Sequence, residues 1–144
     1  MAKRTKTISP CLEGCFLREI EFKGTVFSGT GEGRKFIALP WVKRQIEEEL
    51  GFTPYAGTLN IRLTKESAKK ERRLNEAEKF VIKPEEGYCT GILIKAKIRN
   101  LSCAVITPQI PSYPQIELEV VAAWNLRERL SLSDGSAVSV DVTV

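Results

Sequence analysis

Histidine is absent from this 144-residue chain. Mechanisms that need an imidazole base, a Ser–His pair or a histidine metal ligand are therefore excluded. Cysteine is scarce: of Cys11, Cys15, Cys89 and Cys103, only the first two lie close together, and no second pair answers them. That pattern predicts buried, reduced thiols in an intracellular protein rather than a tetrahedral zinc site. No apolar run approaches the roughly 20 residues needed to cross a bilayer. The basic start, MAKRTKTISPCLEGC, has no apolar stretch behind it, so no secretory leader and a cytoplasmic location are expected. Neither sign of charge dominates, since 22 Lys+Arg against 18 Asp+Glu leaves +4. That slight excess favours phosphate-bearing ligands and is too weak to argue for nucleic acid.

What is present is enough for one core, because 42% of the residues are hydrophobic and the length suits a single domain. Residues 1–20 read as an extension of unassigned role, and 21–144 as the folded domain. IEFKGTVF is a broken alternation whose Gly24 marks a bulge or a close backbone approach. KFIAL (35–39) is expected to be a short strand. Pro40 then opens WVKRQIEEELG, where Val42, Ile46 and Leu50 recur every four residues and Gly51 ends a helix of about ten residues. In TLNIRL (58–63), Leu59, Ile61 and Leu63 share one strand face, which leaves Thr58, Asn60 and Arg62 on the other. The charged stretch 64–79 is expected to be a mobile helix or loop. YCTGILIKAKI and LSCAVIT form a hairpin across Arg99-Asn100, TPQIPSYPQ is an ordered or extended loop, and IELEVVA puts Glu117 and Glu119 on one face. WNLRERL is one or two helical turns, and Asp134-Gly135 is a turn before AVSVDVTV, with Val138, Val140, Val142 and Val144 in register. About seven short strands with one or two short helices make a mainly β, single-domain barrel.

Three segments carry chemistry. In SGTGEGRKF (28–36), Gly29, Gly31 and Gly33 stand at alternate positions, so backbone N–H groups can turn inward around an anion, with Arg34 and Lys35 supplying positive charge. The segment is neither a P-loop nor a dinucleotide fingerprint, and a plain glycine-rich hairpin loop fits the spacing equally well. YAGTLN (55–60) presents a hydroxyl and an amide oxygen from Thr58 and Asn60, a set able to hold Mg²⁺ when substrate phosphates complete the shell. The polar outer face of an amphipathic strand is the other reading. Glu119 is placed to act as a base or to accept a hydrogen bond from a substrate hydroxyl, against the default of an exposed glutamate.

In order, GTVFSGTGEGRKF, LGFTPYAGTLNIRL and IELEVVAAWNLRERLSLSDG closely resemble the archaeal-type CTP-dependent riboflavin kinases, from about Gly24 to Val144. The resemblance implies a cradle-loop (RIFT-related) β-barrel that transfers phosphate from CTP to riboflavin, giving CDP and FMN, with Mg²⁺ as the metal. It implies that Thr30, Gly31, Glu32, Gly33, Arg34 and Lys35 line the nucleotide phosphates, and that Trp124, Asn125, Leu126 and Arg127 form a second nucleotide segment. It further implies that Thr58 and Asn60 hold Mg²⁺ and that Glu119, the one catalytic candidate, lies on the flavin side. Pro111 stands where the family has a flavin-contacting threonine, with Ser112 beside it as the substitute contact. The expected protein is a monomer without membrane or nucleic-acid partners. The alternative is a non-catalytic cradle-loop barrel that binds nucleic acid or regulates transcription.

Overall fold

A computed structural model describes residues 18–108 and 116–144. Cys11, Cys15, Pro111 and Ser112 lie outside the described residues, as does nearly all of the expected extension. β1 (Glu19–Phe27) takes up Glu19 and Ile20, the last two residues of the expected extension. The other strands are β2 (Leu59–Leu63), β3 (Phe80–Ile82), β4 (Gly91–Ile98), β5 (Leu101–Pro108), β6 (Glu117–Ala122) and β7 (Ala137–Thr143). The sheet runs β3-β4-β5-β6-β2-β1-β7, all antiparallel, and β7 returns to β4 through Ala96↔Val142 and Lys97↔Asp141. Six strands thus close into a barrel, and β3 is an added edge on β4. Closure leaves the barrel strands no free edge to pair with other chains.

The alternation in the sequence becomes the two sides of the wall. Phe22, Val26, Ile61, Val120, Val140 and Val142 point inward and are buried. Gly24 is a close approach: a Cβ there would collide with the Arg62 carbonyl oxygen of the neighbouring strand. The β4–β5 hairpin turns on Arg99 and Asn100, both with positive φ (49° and 68°), the geometry whose twist matches a two-residue hairpin.

The sequence reading of 35–39 as a strand is corrected. Residues Glu32–Ala38 form a helix, α1, which starts after Gly31 in a left-handed conformation (φ 87°) and stops at the extended Leu39. A short apolar run has no decisive period. Here Ile37 finds its burial with Trp41, Val42 and Ile46, and Leu39 is extended because it precedes proline. α2 (Pro40–Leu50) follows with Gly51 left-handed at its C-terminus. Together α1 and α2 cover Leu93, Ala104, Ile106 and Val121 in a second core cluster outside the barrel, which explains why GILI at the start of β4 is continuously buried.

The charged stretch after β2 is also more structured than expected. α3 (Lys65–Lys69) is capped by Thr64, whose side chain accepts from the Ser67 N–H. A 3-10 segment (Glu71–Glu76) follows, and Leu74 and Ala77 enter the barrel core. The buried Ser67 hydroxyl accepts from the Lys23 N–H at 2.7 Å, fastening α3 to β1. α4 (Leu126–Arg129) is a single turn capped by Asn125. Cys103 is buried and free as expected, whereas Cys89 is exposed. No helix among the described residues is long and apolar enough to cross a membrane.

Candidate active site

Because Leu59, Ile61 and Leu63 face into the barrel, Thr58, Asn60 and Arg62 face out. The same alternation turns Glu117 and Glu119 outward from β6, and strand pairing sets Asn60 opposite Glu119 and Arg62 opposite Glu117. On the other side, Phe27 of β1 lies opposite Asn60. The glycine-rich segment 28–34 arches over this strip and α4 closes one end. The result is a cleft of about 890 Å³ on the outer wall.

Its centre is built by side chains that only glycines could cover. Thr58 Oγ1 donates to Glu119 Oε2 at 3.0 Å. A Cβ on Gly33 would overlap both of those oxygens, and one on Gly29 would lie 2.7 Å from Asn60 Nδ2. The two glycines therefore lie flat against the Thr58–Asn60–Glu119 group. Around Gly31, between them, a Cβ would meet nothing within 4 Å, so glycine is required there by its positive φ alone.

At the closed end three segments distant in sequence are tied together. Arg127 Nη2 donates to Asp134 Oδ1 at 2.6 Å and to Ser28 Oγ at 3.4 Å, while Ser28 Oγ donates to Asp134 at 2.9 Å. The guanidinium beside Asp134 holds its carboxyl below the usual aspartate range, with the Ser28 hydroxyl adding to the effect. The Asp134-Gly135 turn is clipped to β1 as well, through Gly135 N–H to Val26 O and Val26 N–H to Ser136 O. Asn125 spans the cleft rim by donating to the Tyr55 hydroxyl at 3.2 Å.

Of the residues singled out from the sequence, Thr30, Gly31, Glu32, Gly33, Arg34, Thr58, Asn60, Glu119 and the run Trp124–Arg127 all line this one cleft. Lys35 does not. It is exposed and pairs with Glu32 at 3.4 Å. Sequence reasoning misses Ser28 and Asp134 as site residues. A serine before a glycine run and an Asp-Gly pair read as turn chemistry, and only the fold brings them 3 Å apart.

The side chains at the centre suit a hard divalent cation such as Mg²⁺. Thr58 Oγ1 and Glu119 Oε2 lie 3.0 Å apart and Asn60 stands opposite Glu119 on the neighbouring strand, so a hydroxyl, an amide and a carboxylate share one strip. Among the described residues no group of three or more His, Cys, Asp or Glu could hold a metal without a ligand's help. An ion here would need further oxygens from water or a bound ligand.

Fold and cleft define a class: a small closed antiparallel barrel with an oxygen-rich, glycine-covered cleft on its wall. The chain belongs to the CTP-dependent riboflavin kinase family, whose model, described as a domain of unknown function (DUF120), matches residues 26–142. It is 40% identical to a riboflavin kinase of Archaeoglobus fulgidus over 130 residues, covering 85% of this chain and 54% of that one. It is 38% identical to one of Methanospirillum hungatei over 131 residues (88% and 59%) and 34% identical to one of Saccharolobus solfataricus over 134 residues (89% and 77%). The chain thus spans little more than half the length of the first two of these curated relatives.

Proposed function

We propose that this chain is a cytoplasmic, monomeric kinase that moves the terminal phosphoryl group of CTP to the 5′-hydroxyl of riboflavin, giving CDP and FMN. The observation that carries the reading is the convergence of the glycine-rich segment, Thr58, Asn60 and Glu119 on one cleft, in a chain of this family. In the proposal, the backbone of Thr30–Arg34 receives the phosphates, with Arg34 and Arg127 offsetting their charge and Trp124, Asn125 and Leu126 bordering the nucleoside. Lys35 acts from outside the cleft, through the field it adds. Thr58 and Asn60 hold Mg²⁺, which when bound neutralises charge on the phosphates.

Thr58 suits that position because its single proton is donated to Glu119. A hydroxyl committed in that way directs its two lone pairs elsewhere. Glu119 accepts the hydrogen bond of the riboflavin hydroxyl and so points it at the phosphorus. The hydroxyl oxygen forms the new P–O bond, the bond to the CDP oxygen breaks, and the hydroxyl proton is released late to solvent. With a loose transition state, positioning and charge neutralisation do most of the work, and a histidine-free site suffices. Ser112, in segment 109–115, is the proposed second flavin contact.

Asn60→Ala tests the reading. Removing one of few protein ligands from an ion that demands near-octahedral geometry should cut turnover by well over about tenfold, with circular dichroism and Tm unchanged. A folded Asn60→Ala protein with normal turnover would refute the assignment.

A further inference from the structure

The strip does not stop at Asn60 and Glu119. Two residues further along each strand, on the side away from Thr58 and Gly33, Arg62 stands opposite Glu117. Side chains on one strand face repeat about every 7 Å, so this pair occupies the next step of the same cleft, which both residues line. Arg62 Nη2 lies 3.4 Å from Glu117 Oε2, and its guanidinium lies over the Phe27 ring at 4.4 Å. The two side chains are 53% and 26% exposed. A pair so open to solvent contributes little to folding, and barrel closure does not depend on it. The ring beneath fixes the plane of the guanidinium, leaving its remaining N–H donors beside a carboxylate acceptor.

We infer that Arg62 and Glu117 read the pyrimidine edge of the flavin: Glu117 accepts the imide N3–H and Arg62 donates to a neighbouring ring carbonyl. The inference rests on the riboflavin reading above and deepens it. With the 5′-hydroxyl at Asn60 and Glu119, the five-carbon ribityl chain carries the ring system along the strip by about one strand repeat, within reach of this pair. The imide edge is acceptor–donor–acceptor, which an arginine and a carboxylate side by side complement. A cytosine edge also offers donors and acceptors. Its place, however, is with the nucleotide segments around Gly29–Arg34 and α4, at the opposite end of the cleft.

Flavin fluorescence titrations with riboflavin and 3-methylriboflavin, which lacks the imide proton, test this. The wild type should bind riboflavin about tenfold or more tighter than the methyl analogue, the worth of one hydrogen bond to a charged group. Glu117→Ala should bind the two alike, and Glu117→Gln, which keeps an acceptor oxygen, should restore part of the preference. Arg62→Gln should raise the riboflavin Kd about tenfold and leave the KM for CTP unchanged. If the wild type binds both flavins equally, or if the variants shift the KM for CTP instead, the edge assignment falls and the kinase reading stands. If the wild type binds no riboflavin, both fall.

Discussion

Gly33→Ala is the smallest change that should dismantle the centre of the site. A methyl at residue 33 would sit about 1 Å inside ordinary contact distance of both Glu119 Oε2 and Thr58 Oγ1, and 3.1 Å from Thr58 Cγ2. Thr58 is a short β-branched side chain next to β2, and Glu119 Oε2, although it ends a flexible chain, accepts the Thr58 hydroxyl at 3.0 Å. Relief therefore requires α1 to lift or the Thr58–Glu119 hydrogen bond to break. Overpacking of this kind costs about 1–3 kcal/mol, a fall in Tm of roughly 3–10 °C for a domain of this size. A displacement of about 1 Å among groups that must align the acceptor hydroxyl should lower kcat about 100-fold. The control is Gly31→Ala, where open space receives the methyl. Its positive φ costs about 1 kcal/mol, and the loss should appear in the KM for CTP instead. Steady-state kinetics of FMN formation and thermal denaturation of both variants read the contrast. Wild-type kcat in Gly33→Ala would refute the packing argument.

Other perturbations follow from the same geometry. Glu119→Gln keeps an acceptor oxygen and should retain measurable turnover, while Glu119→Ala loses more through weakened flavin placement. Equal loss of turnover in both, with riboflavin affinity untouched, would favour base catalysis, worth about 10²–10⁴-fold. The Asp134 carboxyl is held low chiefly by Arg127, so the stability it contributes is full above the ordinary value of 3.8 and fades as pH falls through its depressed folded value. Asp134→Asn should accordingly be less stable than wild type at neutral pH, and the two denaturation curves should converge in acid. It should also raise the KM for CTP by freeing Arg127. Burial pushes the Cys103 thiol up to about 12, so iodoacetamide at pH 8 should label Cys89 and spare Cys103 until the protein is denatured, as peptide mapping would reveal.

How much of this is legible in the sequence depends on the range of the signal. β7, α2 and β2 carry clean periods, and their inward and outward residues follow from them directly. The Thr58–Asn60 pair and the two outward glutamates need nothing more than strand alternation. α1 reads as a strand because five residues of mixed character fix no period, and its burial comes from Trp41 and Val42, which the segment itself does not contain. The 3-10 segment looks solvated because Leu74 and Ala77 are its only apolar anchors and charge surrounds them. The Ser28–Arg127–Asp134 tie is beyond reach. Its members are up to 106 residues apart, and only the closure of β1 against β7 brings them together.

The central claim is the reaction itself. Purified protein is incubated with riboflavin, Mg²⁺ and each of CTP, ATP, GTP and UTP in turn, and FMN is separated by chromatography. The account predicts FMN with CTP, matched mole for mole by CDP, and much less with the other three. FMN formed equally with ATP would contradict the nucleotide assignment, and no FMN with any of the four would contradict the account as a whole.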